Sequence, residues 1–550
     1  MLRILLGRAR TGKSAWVLHK IKELGDCSQQ ILLVPEHASY VAEVDVCQTC
    51  GDAASRHVEV LTFKLLASRV LSISGGAADI TLDNGGKLLL LQRTLQELSP
   101  ALHVYRRPSR RAAFLESLLA LMDELSAYAI APEELLEKVQ AVSGESGDRL
   151  RDISLIYGVY QAKLHENGRD ARDHMEKLEE NLAQSGYIDG KDIFIDGFSY
   201  FTARELNILR IMLSRAESVT VTLLGDESKS ELFYESFLVR SQLIQLAQQS
   251  NAVCTEEVLK PEEVDDALSH IERNFFDGDA VWRNTDKQLC LYEANHTYSE
   301  LEWVASQIWE LVRTQGYRFR DITVTARNLT EVIPLLENVF ARYEIPFYFS
   351  QRNDILRSNV LTLLMGALEA VIGGFEYEDV FRCLKTGLAG LAAEECDLLE
   401  NYAIKWDIRG TMWIKDVAWI AHPDGYGMEW HQRDRDRLEQ INLFRQRVCT
   451  PFAHLSEGIR GVSSAKAKIT ALYAYLEEIS LPEKLQEQTR MLAEQGELQR
   501  AEELAQLWNI LCDVFDQFVE ILGESELEDE EFVRLMALVF SQYSVGTIPV

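Results

Sequence analysis

Eight residues near the start of the chain have the types and spacing of a phosphate-binding loop. They are Gly7-Arg8-Ala9-Arg10-Thr11-Gly12-Lys13-Ser14, which fit the pattern G-x-x-x-x-G-K-[ST]. In such a loop, glycines let backbone N–H groups curl around phosphate oxygens, the lysine reaches the outer phosphates, and the hydroxyl can ligate Mg²⁺. The pattern therefore predicts that this loop binds ATP, with Ser14 on the magnesium ion.

A second metal ligand is expected from the end of a neighbouring strand. Asp196, at the end of DIFIDGF, is the candidate carboxylate for Mg²⁺. Gly197 follows it, where an acidic residue that prepares the attacking water is usual. We therefore expect ATP binding with slow or no hydrolysis, and we assign no catalytic residue. The alternative for Asp196 is a turn carboxylate without a metal.

Alternating strands and helices must position these residues. Short apolar runs precede helical patterns at Arg3–Leu6, Ile31–Val34 and Val58–Thr62, with a helix from about Lys13. Further strands are predicted at Asp192–Ile195 and Val219–Leu224, after a helical stretch from Gly85 to about Ser185. This βα order predicts a parallel sheet.

A second βα series is predicted further along. Its strands are expected at Leu289–Glu293, Ile322–Ala326 and Pro346–Phe349, and its helices from Ser299 to about Arg313 and from Glu331. The predicted division is 1–75 and 190–285 for a first lobe, 76–189 for a helical insertion, 286–355 for the start of a second lobe, 356–540 for a second insertion, and 541–550 for the resumed second lobe. The stretch YSVGTIPV begins a new β-type run, so we expect the second lobe to continue beyond residue 550.

Composition and charge narrow the class of protein. The chain has 550 residues, too many for a single hydrophobic core. Its net charge of −30 argues against a small basic module that coats nucleic acid, although a local basic groove stays possible. We find no long apolar run, and the opening MLRILLGRAR is too short for a signal peptide, so we expect a cytoplasmic protein without a membrane partner. Nine scattered cysteines are expected to be reduced thiols.

Several long segments resemble one protein family. They include ILLVPEHASYVAE, VLTFKLLASRVL, LDNGGKLLLL, FIDGFSYFTARE, YRFRDITVTARN and YEDVFRCLKTGL. These segments, in this order, resemble AddB (also called RexB), the B subunit of the bacterial ATP-dependent helicase/nuclease that processes double-strand breaks. The resemblance covers essentially the whole chain.

The resemblance implies a fold, partners and cofactors. The fold class is α/β and superfamily 1 helicase-like, with RecA-like P-loop lobes that carry large helical insertions. In the family an A subunit drives unwinding at double-stranded DNA ends, and the B subunit clamps the single strand and scans it for the hotspot sequence Chi. The cofactors are ATP and Mg²⁺, and an iron–sulfur cluster belongs to a C-terminal nuclease part that this chain does not include.

The resemblance also implies a single-stranded DNA site in the first lobe. Its candidate residues are His37, Ser39, Phe63, Lys64 and Arg69. Phe63 offers an aromatic face for a base, and the cations offer phosphate contacts.

This chain departs from the family in the same segments. His37 and Ser39 stand where the family has Gln and Thr, and both can still hydrogen-bond a base edge. Leu65 and Ser68 replace an Arg and a Trp, so we expect weaker or altered Chi recognition.

Two readings of the function stay open. One is a DNA end-processing subunit that binds ATP and single-stranded DNA. The other is a non-hydrolysing DNA-repair scaffold with a relic P-loop, which the missing acid after Asp196 favours. A small-molecule kinase ranks last, since insertions of this size do not suit it. The aromatic run Phe198, Tyr200 and Phe201 could stack bases or fill the core.

Overall fold

The computed structural model describes residues 1–74, 82–106, 112–139, 142, 144–164, 174–226, 231–260, 266–275, 280–283, 289–348 and 353–545. These residues form a mixed α/β protein with one parallel sheet and many helices. They fall into two compact units, the first within 1–259 and 352–547 and the second within 260–351.

The elements follow in chain order. The strands are β1 Leu2–Gly7, β2 Gln30–Leu33, β3 Val58–Leu61, β4 Asp192–Ile195, β5 Ser218–Leu224, β6 Cys254–Leu259, β7 Asn353–Asp354 and β8 Ser544–Val545. The α-helices are α1 Lys13–Leu24, α2 Ser39–Ser55, α3 Phe63–Ser74, α4 Asn84–Leu98, α5 Ala112–Ala127, α6 Pro132–Val139, α7 Glu145–Leu164, α8 His174–Ser185, α9 Ala203–Arg215, α10 Tyr234–Gln249, α11 Ala267–Asn274, α12 Thr297–Gln315, α13 Leu329–Arg342, α14 Asn359–Gly373, α15 Tyr377–Leu384, α16 Ala393–Lys405, α17 Gln432–Ile459, α18 Ala465–Glu478, α19 Leu481–Glu494, α20 Leu498–Leu522 and α21 Asp529–Phe540.

The first six strands form a single sheet. Their order is β3-β2-β4-β5-β1-β6, and every neighbouring pair is parallel. The five strands predicted in this part of the chain are confirmed. The edge strand β6, with the sequence CTEEVL, escaped prediction because charged residues interrupt its apolar pattern. Parallel pairing brings all six carboxyl ends to one edge, where open α/β sheets collect their ligands.

Helices cover both faces of this sheet. On one face, the apolar side chains of β1, β2, β4 and β5 pack with α3, α8, α9 and α10, for example through Leu66, Leu178 and Ile208. On the other face, Val17 and Ile21 of α1 pack against Leu32 and Phe194 of β2 and β4. Burial on both faces is the usual reason for near-continuous apolar runs in parallel strands.

The two helical stretches of the chain share one core. Leu88 and Leu91 of α4 belong to the same buried cluster as Phe518 of α20 and Phe532 of α21. The amide of Gln92 in α4 also donates to the Glu531 carboxylate at 2.7 Å. The helices from α4 to α7 and from α14 to α21 therefore pack as one body, although more than 190 residues separate them in the chain.

The second predicted strand series is wrong where the structure describes it. Residues 289–293, 322–326 and 346–348 are not in strands, and residue 349 lies outside the described residues. Leu291, for example, is 99% exposed. A strand needs a hydrogen-bonded neighbour as well as an apolar pattern, and none of these segments has one among the described residues. The predicted helices are present as α12 and α13, and they pack through Ala305 and Val339.

No helix among the described residues combines the length and the apolar character that a membrane crossing requires.

Candidate nucleotide and single-strand sites

The predicted phosphate loop joins β1 directly to α1. Gly7 ends the strand, and Gly12 precedes the helix with a φ of 81°. That left-handed conformation favours glycine. At Gly7 a Cβ would lie 2.2 Å from Oγ1 of Thr11, so only glycine allows the loop to fold back this tightly. The backbone therefore has the tight curl that a phosphate cradle needs.

Lys13 and Ser14 lie at the first turn of α1, where the helix dipole favours an anion. The Lys13 ammonium donates to the carbonyl oxygens of Gly7 and Arg8, at 2.7 Å each. This places the cation over the loop, and Ser14 is exposed beside it. Ala9 and Arg10 lie at the exposed tip of the loop, and Thr11 donates its hydroxyl to the Arg8 carbonyl. The residues present fit a triphosphate with its magnesium ion.

A carboxylate that the sequence analysis did not single out holds the loop arginine. The guanidinium of Arg8 donates to Oδ2 of Asp226 through Nε at 2.7 Å, and its Nη2 lies 2.6 Å from the same oxygen. It also lies over the ring of Phe233, 5.5 Å from the centroid. Asp226 follows β5, the sheet neighbour of β1. Its position just past the end of a predicted strand is the sequence feature that could have identified it.

Asp196 lies at the carboxyl end of β4. Its carboxylate accepts a hydrogen bond from Thr222 of β5, with 2.5 Å between the oxygens. Because β5 separates β4 from β1, Asp196 lies two strand spacings from the phosphate loop, roughly 10 Å. Gly197 follows with a φ of 85°, so the chain turns away from the strand at this point. The residue after Asp196 is thus a glycine, which supplies no acidic side chain.

A cleft of about 870 Å³ opens at the other half of the same sheet edge. One wall comes from the segments that follow β2, β3 and β4, and the other from the start of α4 and the segment before β8. Three of the five predicted DNA-binding residues line it, namely His37, Phe63 and Lys64. Ser39 and Arg69 are not part of its lining, and Arg69 faces Glu59 at 3.6 Å.

Aromatic rings form the floor of this cleft. Phe198 lies against Phe63 edge-on, with 5.5 Å between centroids, and stacks on Phe201 at 5.4 Å. Phe63 and Phe201 are each only 7% exposed, so both rings belong chiefly to the core. Tyr200 is 69% exposed and lines the cleft.

The far wall is built on a carboxylate at the start of α4. Asp83 caps the helix by accepting from the Gly86 N–H at 2.9 Å. Its other oxygen accepts from the Tyr543 hydroxyl at 2.7 Å and from the Gln517 amide at 3.0 Å. Burial and this hydrogen bond to Asp83 raise the pKa of Tyr543, so the phenol stays protonated and keeps donating. A Cβ at Gly85 would lie 2.6 Å from that hydroxyl, which explains the glycine.

Charges in the cleft are balanced rather than basic. Among the described residues, three carboxylates line it, those of Glu36, Asp83 and Glu205, together with three cations, those of Lys64, Lys87 and Arg204. Two of the cations are paired, Lys87 with Asp123 at 3.1 Å and Arg204 with Glu179 at 3.0 Å. The cleft therefore offers aromatic and hydrogen-bonding surface more than a grip on phosphates.

Comparison with known proteins identifies relatives along the whole chain. Residues 4–272 match the family model described as ADDB, N-terminal. The chain is 31% identical over 573 residues to the B subunit of the ATP-dependent helicase/deoxyribonuclease of Clostridioides difficile (strain 630), and 31% identical over 567 residues to the protein of the same name from Clostridium botulinum (strain Langeland / NCTC 10281 / Type F). A Thermoanaerobacter sp. (strain X514) protein of that name is 29% identical over 564 residues. Each match covers 100% of this chain and 49% of the relative, so the chain spans about half the length of these proteins.

Proposed function

The chain belongs to the AddB family, and on that premise we propose that it is the ATP-binding and single-strand-binding part of a B subunit in an ATP-dependent helicase/deoxyribonuclease. Such a complex processes double-stranded DNA ends for homologous recombination, and its partner is an A subunit. The relatives are named as the B subunits of such enzymes, which supports membership of a complex.

One observation carries the proposal. The phosphate loop and the cleft occupy two halves of one sheet edge, and the segment that follows β4 lines the cleft while its first residue, Asp196, contacts β5. That segment begins at Asp196, on the side of the phosphate loop, and continues through Phe198 and Tyr200 into the cleft. ATP and a single strand bound in this way would share the structural element that follows β4.

We also propose that the sheet is the core of the first of two RecA-like lobes in a superfamily 1 arrangement. The six-stranded parallel sheet with the phosphate loop after β1 supports this proposal. The second lobe would begin within 286–355, where α12 and α13 pack together.

Hydrolysis is expected to be slow. A phosphate loop grips the nucleotide, but a separate acidic group must orient the attacking water. Gly197 occupies the position after Asp196, and its missing side chain favours binding without rapid turnover. This subunit would then respond to ATP while its partner drives unwinding.

Calorimetric titration of the full chain with ATP and Mg²⁺ tests the nucleotide site. We expect Lys13→Ala to weaken binding at least tenfold, because its ammonium lies over the loop. The control is Lys22→Ala, which removes an exposed lysine from the same helix and should bind like the native chain. Turnover should stay below roughly 1 s⁻¹, the low end of ordinary enzyme rates. Absence of ATP binding by the native chain would favour the scaffold with a relic loop.

A further inference from the structure

The aromatic residues of the cleft differ in how much of the ring a base could reach. Phe63 is 7% exposed and lies edge-on to Phe198, which is itself stacked on Phe201. These three rings therefore pack against one another, with Phe198 between the other two. Tyr543 is held by its hydrogen bond to Asp83. Among the described phenylalanine and tyrosine residues that line the cleft, Tyr200 is the one that is mainly exposed, at 69%.

The segment that carries Tyr200 is fixed at both ends. At its start, the N–H of Asp196 donates to the Leu33 carbonyl at 3.0 Å, and its carboxylate accepts from Thr222. At its end, Thr202 and Glu205 form a reciprocal capping box at the start of α9. Between these anchors, Phe198 and Phe201 flank Tyr200 and pack into the sheet core. The exposed ring is thus presented from a pre-organised segment, and ordering it on binding costs little.

The charge balance of the cleft favours stacking as the source of binding. In the described part of its lining, three carboxylates offset three cations, and Lys87 and Arg204 are already paired. A single strand in such a cleft gains little from phosphate neutralisation. Base stacking on aromatic rings does not depend on net charge, and it is a common mode of single-strand recognition.

We propose that Tyr200 is the platform on which one base of single-stranded DNA stacks in this cleft. This inference rests on the proposed function, because it assumes that the cleft holds a single strand. Tyr200 lies on the loop opposite Asp83 and Tyr543, so a base stacked on it lies between the aromatic floor and a wall of hydrogen-bonding groups. Tyr200 supplies the accessible face in a chain where Ser68 stands at the position of the family's tryptophan.

Fluorescence titrations with the full chain test this role. The probes are oligonucleotides that carry 2-aminopurine at successive positions, together with matched oligonucleotides that have a single abasic site. Tyr200→Ala should weaken binding by roughly 5- to 150-fold, the usual range for one stacked base. Tyr200→Phe should bind like the native chain because it keeps the ring. The control Tyr426→Ala removes a tyrosine that is 94% exposed and does not line the cleft, so it should have no effect.

Two further readouts separate stacking from a general loss of binding. At one position of the oligonucleotide, the native chain should quench the fluorescence of 2-aminopurine. An abasic site at that position should lower the affinity of the native chain. Tyr200→Ala should show neither effect. The dependence of affinity on salt should be the same in the native chain and in Tyr200→Ala, because the substitution removes no phosphate contact. If Tyr200→Ala binds as tightly as the native chain and loses as much affinity at the abasic site, the role of Tyr200 is wrong, while the proposed function stands. A native chain that binds no single strand would overturn the single-strand part of the proposed function itself.

Discussion

At the scale of single residues, protein groups hold two of the three cations of the phosphate loop, Lys13 and Arg8. Lys13 lies on two loop carbonyls, and Arg8 is bound by Asp226 and packed on Phe233. A bound triphosphate would attract both cations. Lys13 would exchange these carbonyl oxygens for phosphate oxygens, and Arg8 would leave a charged partner. Asp226 therefore opposes nucleotide binding in two ways. It holds the Arg8 guanidinium, and its own charge repels the phosphates.

Removal of the Asp226 charge is expected to tighten ATP binding. Repulsion between single charges roughly 10 Å apart near a protein surface amounts to about 1–2 kcal/mol, so Asp226→Asn should lower the Kd for ATP roughly 5- to 30-fold. Calorimetry measures this directly. The matched control is Asp424→Asn, which neutralises a carboxylate in an ion pair with Arg437, outside the loop. Weaker ATP binding in Asp226→Asn would show instead that this carboxylate holds the loop in its binding conformation.

Candidate residues that lie close together in sequence could be proposed from it, and those assembled from distant segments could not. Lys13 and Ser14 follow from a local pattern after the first predicted strand, and His37 and Lys64 from the family resemblance after the next two. Tyr543 contacts Asp83 across 460 residues of chain, and no local pattern signals such a contact. Burial of a single side chain cannot be read from a local pattern either. The sequence therefore could not show that a base can reach the exposed ring of Tyr200 but not the buried ring of Phe63.

At the scale of elements, close helix packing depends on a glycine. Gly458 of α17 faces Ala471 of α18, and a Cβ at Gly458 would lie 2.2 Å from the Ala471 side chain. Alanine is preferred over glycine by about 1 kcal/mol within a helix. Overpacking usually costs about 1–3 kcal/mol, and sometimes more. At so short a separation the steric cost should be the larger of the two.

The substitution Gly458→Ala should therefore lower the free energy of unfolding by up to about 2 kcal/mol, the steric cost less the gain in helix propensity. Denaturant titration measures the change. The exchange variant Gly458→Ala with Ala471→Gly keeps one methyl group at the contact and should return close to the native value. If Gly458→Ala is more stable than the native chain, the two helices separate at little cost and the contact is not tight.

The predicted strands are present only where a sheet forms around them. The runs at Ile31–Val34 and Ile322–Ala326 are both short and apolar, and both were predicted as strands. The first lies between β3 and β4 and pairs with both, whereas the second has no ladder among the described residues. Helices satisfy their own backbone hydrogen bonds, so α12 and α13 follow from their local pattern without such a partner.

At the scale of the whole molecule, the described residues of the first unit pack as two bodies, and three buried clusters form their cores. One body is the sheet with its covering helices, and the other joins the helices from both helical stretches. The walls of the cleft come from these two bodies, with Phe198 on the sheet side and Asp83 on the helical side. The shape of the cleft thus depends on a core whose two halves are distant in sequence.

A cavity in one helical stretch should therefore loosen the other. Leu88 of α4 is fully buried in the shared core, and its replacement by alanine should cost about 2–5 kcal/mol. Hydrogen exchange followed by mass spectrometry should then show faster exchange in α14 and α20 as well as in α4, while β1 and β5 stay protected. The matched variant Leu223→Ala opens a cavity in the sheet core and should give the reverse pattern. If Leu88→Ala affects α4 and α7 alone, the helical stretches are independent bodies; equal loss of protection everywhere would mean that sheet and helices unfold as one.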